Sequence, residues 1–410
     1  MKTLKLAIYN VFRNKRRTLI TLLSIIIASC AIIVFGGFMT FTFNGLREST
    51  IKTQLGHFQI GRVGYFGRGA GGLRPEFLLS NPNEIEEKIR ALPHVVGATQ
   101  RLVGSGLIST GNITLSGVLT GVSPEKEEKF SFAETMVDGS QLESGLLGEC
   151  VLGEGLAKGL DAKVGDTLTI LASTVDGVFN GMDCTLGGVV RTGARALDNV
   201  YIKLHLPDLQ RLLDTTGTER VMVLLDETKN LPTVEPYLQK LADDSPAESK
   251  LEMRTWQQLA EFYNRVVNLY TSIFHVASII LAVVVLLSIA NTMSMCVFER
   301  FREIGTLRAI GETRSGIMRL FLSEGLVIGV LGGLVGIVAG VIAAKIINLS
   351  GGIYISPPPG MSNGYMAMIT PSPIYFVWAF TVSVVASVSA SIYPAYKASR
   401  LDIVKALQHV

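Results

Sequence analysis

The residues best suited to do work in this 410-residue chain fall in one short charged stretch. Glu299, Arg300, Arg302, Glu303, Gly305, Arg308 and Gly311 follow directly on a long apolar run. Carboxylates and guanidiniums at this spacing form ion pairs. Ile304, Leu307, Ala309, Ile310 and Ile317 set an apolar stripe among them, with Glu312 and Arg314 as further charges. That is the chemistry of a docking element rather than of a catalyst. Within residues 47–265 there is no Gly-x-Ser-x-Gly, His-Glu-x-x-His or Cys-x-x-Cys. His57, His94 and His205 match no metal spacing and read as packing or surface residues. The Gly-x-x-x-x-Gly-Lys-Ser/Thr phosphate loop is absent, so ATP hydrolysis by this chain alone is not expected. Catalytic residues, metals and bound cofactors are expected to be none.

The elements that position this stretch are apolar. Of the residues, 48% are hydrophobic and 17% charged, and the mean hydropathy is +0.40. Soluble domains carry about 25% charged residues. A net charge of +3 lacks the dense basic face of a nucleic-acid binder. Four cysteines exclude a disulfide scaffold. Thr18–Leu46, Val266–Phe298 and Gly325–Ala344 are free of Asp, Glu, Lys and Arg, as is the longer Ile346–Tyr396. A bilayer core needs about 20 apolar residues in a helix. The longest run is broken by Ser350-Gly351-Gly352 and Pro357-Pro358-Pro359-Gly360, and Pro371 and Pro373 precede a fresh apolar run.

The expected order is an interfacial helix at 1–17 and four spans at 18–46, 266–298, 321–347 and 374–393. A domain at 47–265 separates the first two. Segment 299–320 joins spans two and three, 348–373 is an uncharged loop, and 394–410 is a tail. The first span is too long for a cleaved signal peptide and reads as a retained anchor. Lys2, Lys5, Arg13, Lys15, Arg16 and Arg17 precede it with no acid. Segment 299–320 and the tail are also basic, whereas 47–265 holds 22 basic and 29 acidic residues. The positive-inside rule then places both termini in the cytoplasm and the large domain outside. Leu4, Ala7, Ile8, Val11 and Phe12 share one face of the N-terminal helix, fitting a helix on the inner leaflet.

The 47–265 domain reads as mixed α/β. Strands are expected at 56–60, two or three short ones across 95–121, and others at 167–170, 187–190 and 199–203. Helices are expected at 83–92, 154–160, 206–213 and 231–241. Cys150 and Cys184 lie in this domain. A disulfide is open to them in an oxidising compartment, but sequence separation does not fix their distance. Cys30 and Cys296 read as packing residues. In span three Gly325, Gly329, Gly332, Gly333, Gly336 and Gly340 recur near four-residue spacing, and span four carries Ser383, Ser387 and Ser391. This predicts close packing of spans three and four on each other or on span two, with a channel as the alternative. Glu324 and Lys345 are expected at span ends, snorkelling to water. No acid falls at mid-membrane, which argues against an ion-coupled carrier.

Phe298-Glu299-Arg300-Phe301-Arg302-Glu303-Ile304-Gly305-Thr306-Leu307-Arg308-Ala309-Ile310-Gly311 resembles a stretch of ABC transporter permeases of the MacB, FtsX and LolC/LolE superfamily. So does the ending Pro394-Ala395-Tyr396-Lys397-Ala398-Ser399-Arg400-Leu401-Asp402-Ile403-Val404-Lys405-Ala406-Leu407, where Ile403 replaces the usual Pro. Residues 148–166 and Asp198-Asn199-Val200-Tyr201-Ile202 also look like this family. The resemblance covers essentially the whole chain.

The resemblance implies a non-catalytic, multi-pass inner-membrane permease with a MacB-like periplasmic domain, split around a β-rich insertion near 139–218. ATP and Mg would be bound by a partner ABC ATPase. The other implied partners are a second permease copy or a paralogue, and a lipoprotein or a periplasmic adaptor or chaperone; nucleic acid is not among them. The stretch at 299–311 would couple to the ATPase, with Arg302 and Glu303 beside a turn-capable Gly305 leading. The strand at 55–60 looks like LolE-type permeases, which favours lipoprotein or amphiphile export. Phe38, Met39, Phe43, Val267, Tyr270 and Phe274 would then contact the cargo. The alternatives are MacB-like mechanotransmission to an efflux adaptor, FtsX-like activation of a cell-wall hydrolase, and a membrane-anchored receptor.

Overall fold

The computed structural model describes residues 2–13, 15–67, 73–131, 134–357, 361 and 364–401. The ending from Asp402 through Ile403, Val404, Lys405, Ala406 and Leu407 lies outside the described residues, as do Pro358, Pro359 and Gly360. The side chains of Leu4 and Phe12 are likewise outside the description.

The chain opens with α1 (Lys2–Arg13) and α2 (Lys15–Ser49), which a π-helical turn continues through Thr50–Leu55. Next come β1 (Phe58–Arg62), α3 (Pro82–Arg90), β2 (Val95–Ser109), β3 (Thr114–Val122), α4 (Pro124–Glu127), β4 (Thr135–Gly139) and β5 (Glu149–Gly153). The domain continues with α5 (Glu154–Leu160), β6 (Thr167–Ser173), β7 (Phe179–Arg191), α6 (Arg195–Asp198), β8 (Tyr201–His205) and α7 (Leu206–Leu212). It finishes with β9 (Arg220–Leu225), α8 (Leu231–Asp243), β10 (Leu251–Thr255) and α9 (Trp256–Leu259). After it follow α10 (Glu261–Glu299), α11 (Phe301–Ala309), α12 (Arg314–Leu349), a hairpin of β11 (Ile353–Ile355) and β12 (Tyr365–Ala367), and α13 (Pro373–Ser399).

The chain divides into two compact units. In the α/β unit, β10, β1, β9 and the first half of β2 pair antiparallel in that order. Helices α3 and α8 pack on these strands, and Ile89, Val234 and Leu238 join Phe58, Ile60 and Val223 in one core. The second half of β2 leaves this sheet and pairs with β3 and β6. The pairs β3–β8, β8–β5, β5–β7 and β7–β6 then return to β2, closing a six-stranded barrel. Closure leaves these strands no free edge. Along β6, Leu168, Ile170 and Ala172 point inward and alternate with exposed residues, as a strand's two-residue period requires.

The barrel corrects the expected β-rich insertion at 139–218. Two of its strands, β2 and β3, come from before residue 139. The short strands expected over 95–121 are two long ones, with β2 fifteen residues in length. β9 carries no alternation because nearly all of it is buried between β1 and β2, so no strand was expected there.

In the helical unit, α2, α10, α12 and α13 are each long and apolar enough to cross a bilayer. With 39 residues, α10 measures roughly 58 Å against a hydrocarbon core of about 30 Å. It therefore continues past the lipid. The span-three glycines pack on two sides. A Cβ on Gly325 or Gly329 would meet Ser391 or Ser387 of α13, and one on Gly333 would meet Phe380. A Cβ on Gly332, Gly336 or Gly340 would meet Ile25, Ser29 or Ile33 of α2. Span three thus packs on span four, the first of the two expected arrangements, and its second glycine face meets span one rather than span two. Ser29 and Ser383 complete the three-helix contact with a buried hydroxyl pair at 2.8 Å.

Candidate functional site: an ion-pair clasp at one end of the helix bundle

The charged stretch folds as the end of α10, a bend at Arg300, and α11. Ile304 and Gly305 of α11 are buried, and Ile304 shares a cluster with Val297, Ile317, Phe321, Ala395 and Ala398. Half of the expected apolar stripe therefore faces the chain's own core. Ile310, 80% exposed, faces away from it, as do Arg302, Thr306 and Ala309. Gly305 is helical rather than a turn. The turn falls at Gly311, with φ +106, a conformation that favours glycine. Thr313 then caps α12, accepting a hydrogen bond from Gly316 N at 3.1 Å.

Arg300 is the hub. Its guanidinium is buried and donates to Glu324 Oε1 at 2.9 Å and to Glu303 Oε2 at 2.9 Å. It also lies 5.8 Å over the Phe321 ring. Glu324, 3% exposed, accepts a second hydrogen bond from Asn10 Nδ2 at 2.6 Å. It does not snorkel, because Arg300 supplies its counter-charge inside the protein. Arg13 reaches Glu303 Oε2 at 2.8 Å, and Arg17 pairs with Glu299.

Six charged side chains and one amide thereby tie α1 and the start of α2 to the end of α10, α11 and α12. Ala7 and Val11 of α1 are buried in the bundle core, whereas Ile8 is half exposed. The face expected to lie on lipid is thus partly spent on the bundle. Sequence spacing could not reveal the clasp, since Asn10, Arg13 and Glu324 lie far from the charged stretch along the chain. The unusual position of Glu324 at the head of a span was the one available signal.

Burial works against the Arg300 charge. Hydrogen bonding to Glu303 and the field of Glu324 outweigh it and hold the guanidinium ionised. The Glu303 carboxyl is held down at about 2, first by the hydrogen bond from Arg13 and then, against partial burial, by Arg300. A carboxylate depressed in the folded state stabilises above its unfolded value near 4.3 and loses that contribution as pH falls towards 2. Amide exchange in α1 should therefore stay constant from pH 8 to pH 5, after correction for intrinsic rates. Protection should fall between pH 4 and pH 2.5, and Glu303→Gln should show the low protection already at pH 7.

The other expected sites are placed as follows. Arg308 is half-buried in the last turn of α11 and donates to the carbonyl of the exposed Glu312 at 3.4 Å. Phe38, Met39, Phe43, Tyr270 and Phe274 meet in one cluster between α2, α10 and α13. Its ring contacts include Phe43–Tyr270 at 6.2 Å, Phe35–Phe274 at 5.9 Å and Phe274–Tyr375 at 5.2 Å. Val267 is half buried and stands outside that cluster. His57 is buried and held neutral, its pKa lowered to about 4 by desolvation. His94 pairs with Asp226 at 2.9 Å. His205 is buried at the end of β8. Among the described residues, no group of three or more His, Cys, Asp or Glu could hold a metal ion.

The family described as FtsX-like permease C-terminal matches residues 275–403, which include the clasp residues of α10, α11 and α12. The family described as MacB-like periplasmic core domain matches residues 18–241. Over 78% of its length the chain is 27% identical to the lipoprotein-releasing system transmembrane protein LolE of Haemophilus influenzae, covering 78% of that protein. It is 24% identical to LolC of Xylella fastidiosa over 77% of this chain and 78% of that one. The periplasmic region of MacB from Actinobacillus actinomycetemcomitans superposes on 53% of this chain and 95% of that one, with a TM-score of 0.39 and 14% identity. The chain thus belongs to the ABC transporter permeases of the FtsX-like and MacB-like type, as a multi-pass membrane protein with four candidate membrane helices and an α/β domain between the first two.

Proposed function

We propose that this chain is the non-catalytic permease subunit of an ATP-driven complex in a plasma (inner) membrane, with both termini in the cytoplasm and the α/β domain outside. A separate ABC ATPase subunit binds ATP and Mg and docks on the exposed face of α11. The permease acts as a homodimer or beside a paralogue, and the complex extracts or exports a lipoprotein or another amphiphile. The observation that carries this reading is the clasp. It fixes α11 rigidly against α1 and α12 while leaving Ile310, Arg302 and Thr306 free to meet a partner.

A push on α11 is then transmitted to the heads of α2, α10 and α12 together. Because α2 and α10 lead into and out of the α/β domain, ATP-driven closure of paired subunits would move that domain. The aromatic cluster between α2 and α10 is the closed form of the cargo contact in this scheme. The lipoprotein-releasing relatives LolE and LolC support this choice of cargo.

A second reading is transmission of motion to a periplasmic efflux adaptor without cargo in the membrane. It is favoured by the MacB-like core match over residues 18–241. Tandem-affinity purification in mild detergent tests both. The native protein should retain an ATPase, and its Arg302→Glu/Ile310→Asp variant should lose at least about ten-fold of it at unchanged melting temperature. A ten-fold loss corresponds to roughly 1.4 kcal/mol of binding free energy. A co-purifying acylated protein supports export, and a soluble adaptor in its place supports transmission. Full ATPase retention by the double variant would remove α11 as the docking element.

A further inference from the structure

Cys150 and Cys184 are inside the barrel. Cys150 on β5 is fully buried and Cys184 on β7 is 2% exposed. β5 and β7 are parallel neighbours, and Cys150 stands opposite Leu186. Cys184 is two residues from Leu186 and so points to the same face as it. Both cysteines belong to the same apolar cluster, with Leu152, Leu168, Ile170 and Leu186 around them. Their sulfurs are 2.8 Å apart. That is closer than two unbonded sulfurs pack, and the two residues stand on hydrogen-bonded neighbouring strands. The two sulfurs are not bonded in the structure.

We infer that Cys150 and Cys184 are an intradomain disulfide pair, closed by oxidation while the barrel folds and sealed inside it afterwards. The inference rests on the reading that the α/β domain lies outside the cytoplasm, where disulfides persist. The oxidant is a disulfide-bearing donor, protein or small molecule. One cysteine thiolate attacks a donor sulfur, forming a mixed disulfide and releasing one donor thiolate. The second cysteine thiolate attacks the first cysteine's sulfur, forming the Cys150–Cys184 bond and releasing the other donor thiolate. Two cysteine protons are lost, and the donor is reduced by two electrons.

The chemistry has to precede closure of the core, because the folded barrel buries both sulfurs. The hydrogen bond with Cys184 and burial also push the Cys150 thiol well up, so in the folded barrel Cys150 is a poor nucleophile. The bond ties β5 to β7 across the crossover formed by α5 and β6.

The test uses full-length protein purified without reductant. It is alkylated under denaturing conditions and digested with trypsin. Cleavage after Lys129, Lys158, Lys163 and Arg191 puts the two cysteines in separate peptides, 130–158 and 164–191. The expected result is one species joining those peptides, 2 Da lighter than the sum of the two thiol forms. Reduction in denaturant should separate it, whereas reduction of the folded protein should not. Cys184→Ala should lower the melting temperature of the oxidised protein by about 5–10 °C.

Orientation is read separately. An Asp176→Cys reporter on the exposed turn after β6, in a chain otherwise without cysteine, is exposed to a membrane-impermeant maleimide on spheroplasts. Labelled reporter with two alkylated native thiols would overturn the disulfide and leave the orientation standing. Unlabelled reporter with two alkylated thiols would overturn both. A linked peptide pair supports the inference whichever way the reporter reads.

Discussion

Replacing Arg300 by methionine will destabilise the helical unit by about 3–5 kcal/mol, the scale for removing one partner of a buried ion pair. The reason is what remains behind. Glu324 is 3% exposed, and without Arg300 its carboxylate keeps only the hydrogen bond from Asn10. Glu303 keeps Arg13 at 2.8 Å, but Arg13 is largely exposed and cannot hold α11 against α12. Methionine preserves much of the volume over Phe321, so the loss reports charge rather than a cavity. Adding Glu324→Gln should restore part of the stability, because the buried charge is removed with its partner; contacting residues couple by about 0.5–3 kcal/mol in such cycles. Thermal melts in detergent across the four proteins measure this. If α11 is the docking element proposed above, an ATPase should still bind Arg300→Met, because Ile310 and Arg302 are untouched, while hydrolysis by the complex falls at least about ten-fold. A melting temperature equal to the parent's would show that the clasp adds nothing to the bundle.

Much of this architecture was legible because lipid imposes length. Charge-free runs of 20 residues or more have few other uses, and the four expected spans coincide with α2, α10, α12 and α13. The strands were harder. β1 and β6 announced themselves through composition or alternation, but β9 is buried almost throughout and gave no period-two signal. The barrel was illegible because it depends on β2 changing partners halfway along, from β9 to β3 and β6. No residue of β2 advertises that change.

The candidate site divides along similar lines. The charged stretch at 299–311 was visible as a motif, yet the motif does not say which charges face inward. Burial decides it: Arg300 and Glu303 are engaged within the chain, while Arg302 and Ile310 face away from its core. Of the six apolar candidates on α2 and α10, Phe38, Met39, Phe43, Tyr270 and Phe274 share one cluster and Val267 stands outside it. The glycine spacing of α12 was read correctly as a close-packing signal. Span four was among its expected partners, but contact with span one was not, because one helix can carry two small-residue faces.

Those two faces give the other large expected effect. Leucine at Gly332, Gly336 and Gly340 together should release α2 from α12 and abolish assembly of the helical unit. A Cβ at Gly336 would lie 2.5 Å from Ser29 Cβ, and at Gly340 2.9 Å from Ile33 Cβ. Neither neighbour is the far end of a flexible chain, so the helices themselves have to separate. Overpacking costs about 1–3 kcal/mol per site even where a core adjusts, and the lost contact also exposes the Ser29–Ser383 hydroxyl pair. Helix propensity works the other way, since leucine improves on glycine by nearly 1 kcal/mol, but it cannot offset three such clashes. Val335→Leu/Val338→Leu is the control, because both positions are more than half exposed on the same helix and keep the same hydropathy. The control should elute as a single symmetric peak in detergent size exclusion, and the triple variant should aggregate or be degraded before purification. The first helix reaches α12 only after about 220 residues of intervening domain, so this bare face supplies the docking specificity that sequence neighbours get from a short loop. A well-behaved triple variant would mean instead that α2 is held by the clasp and the aromatic cluster alone.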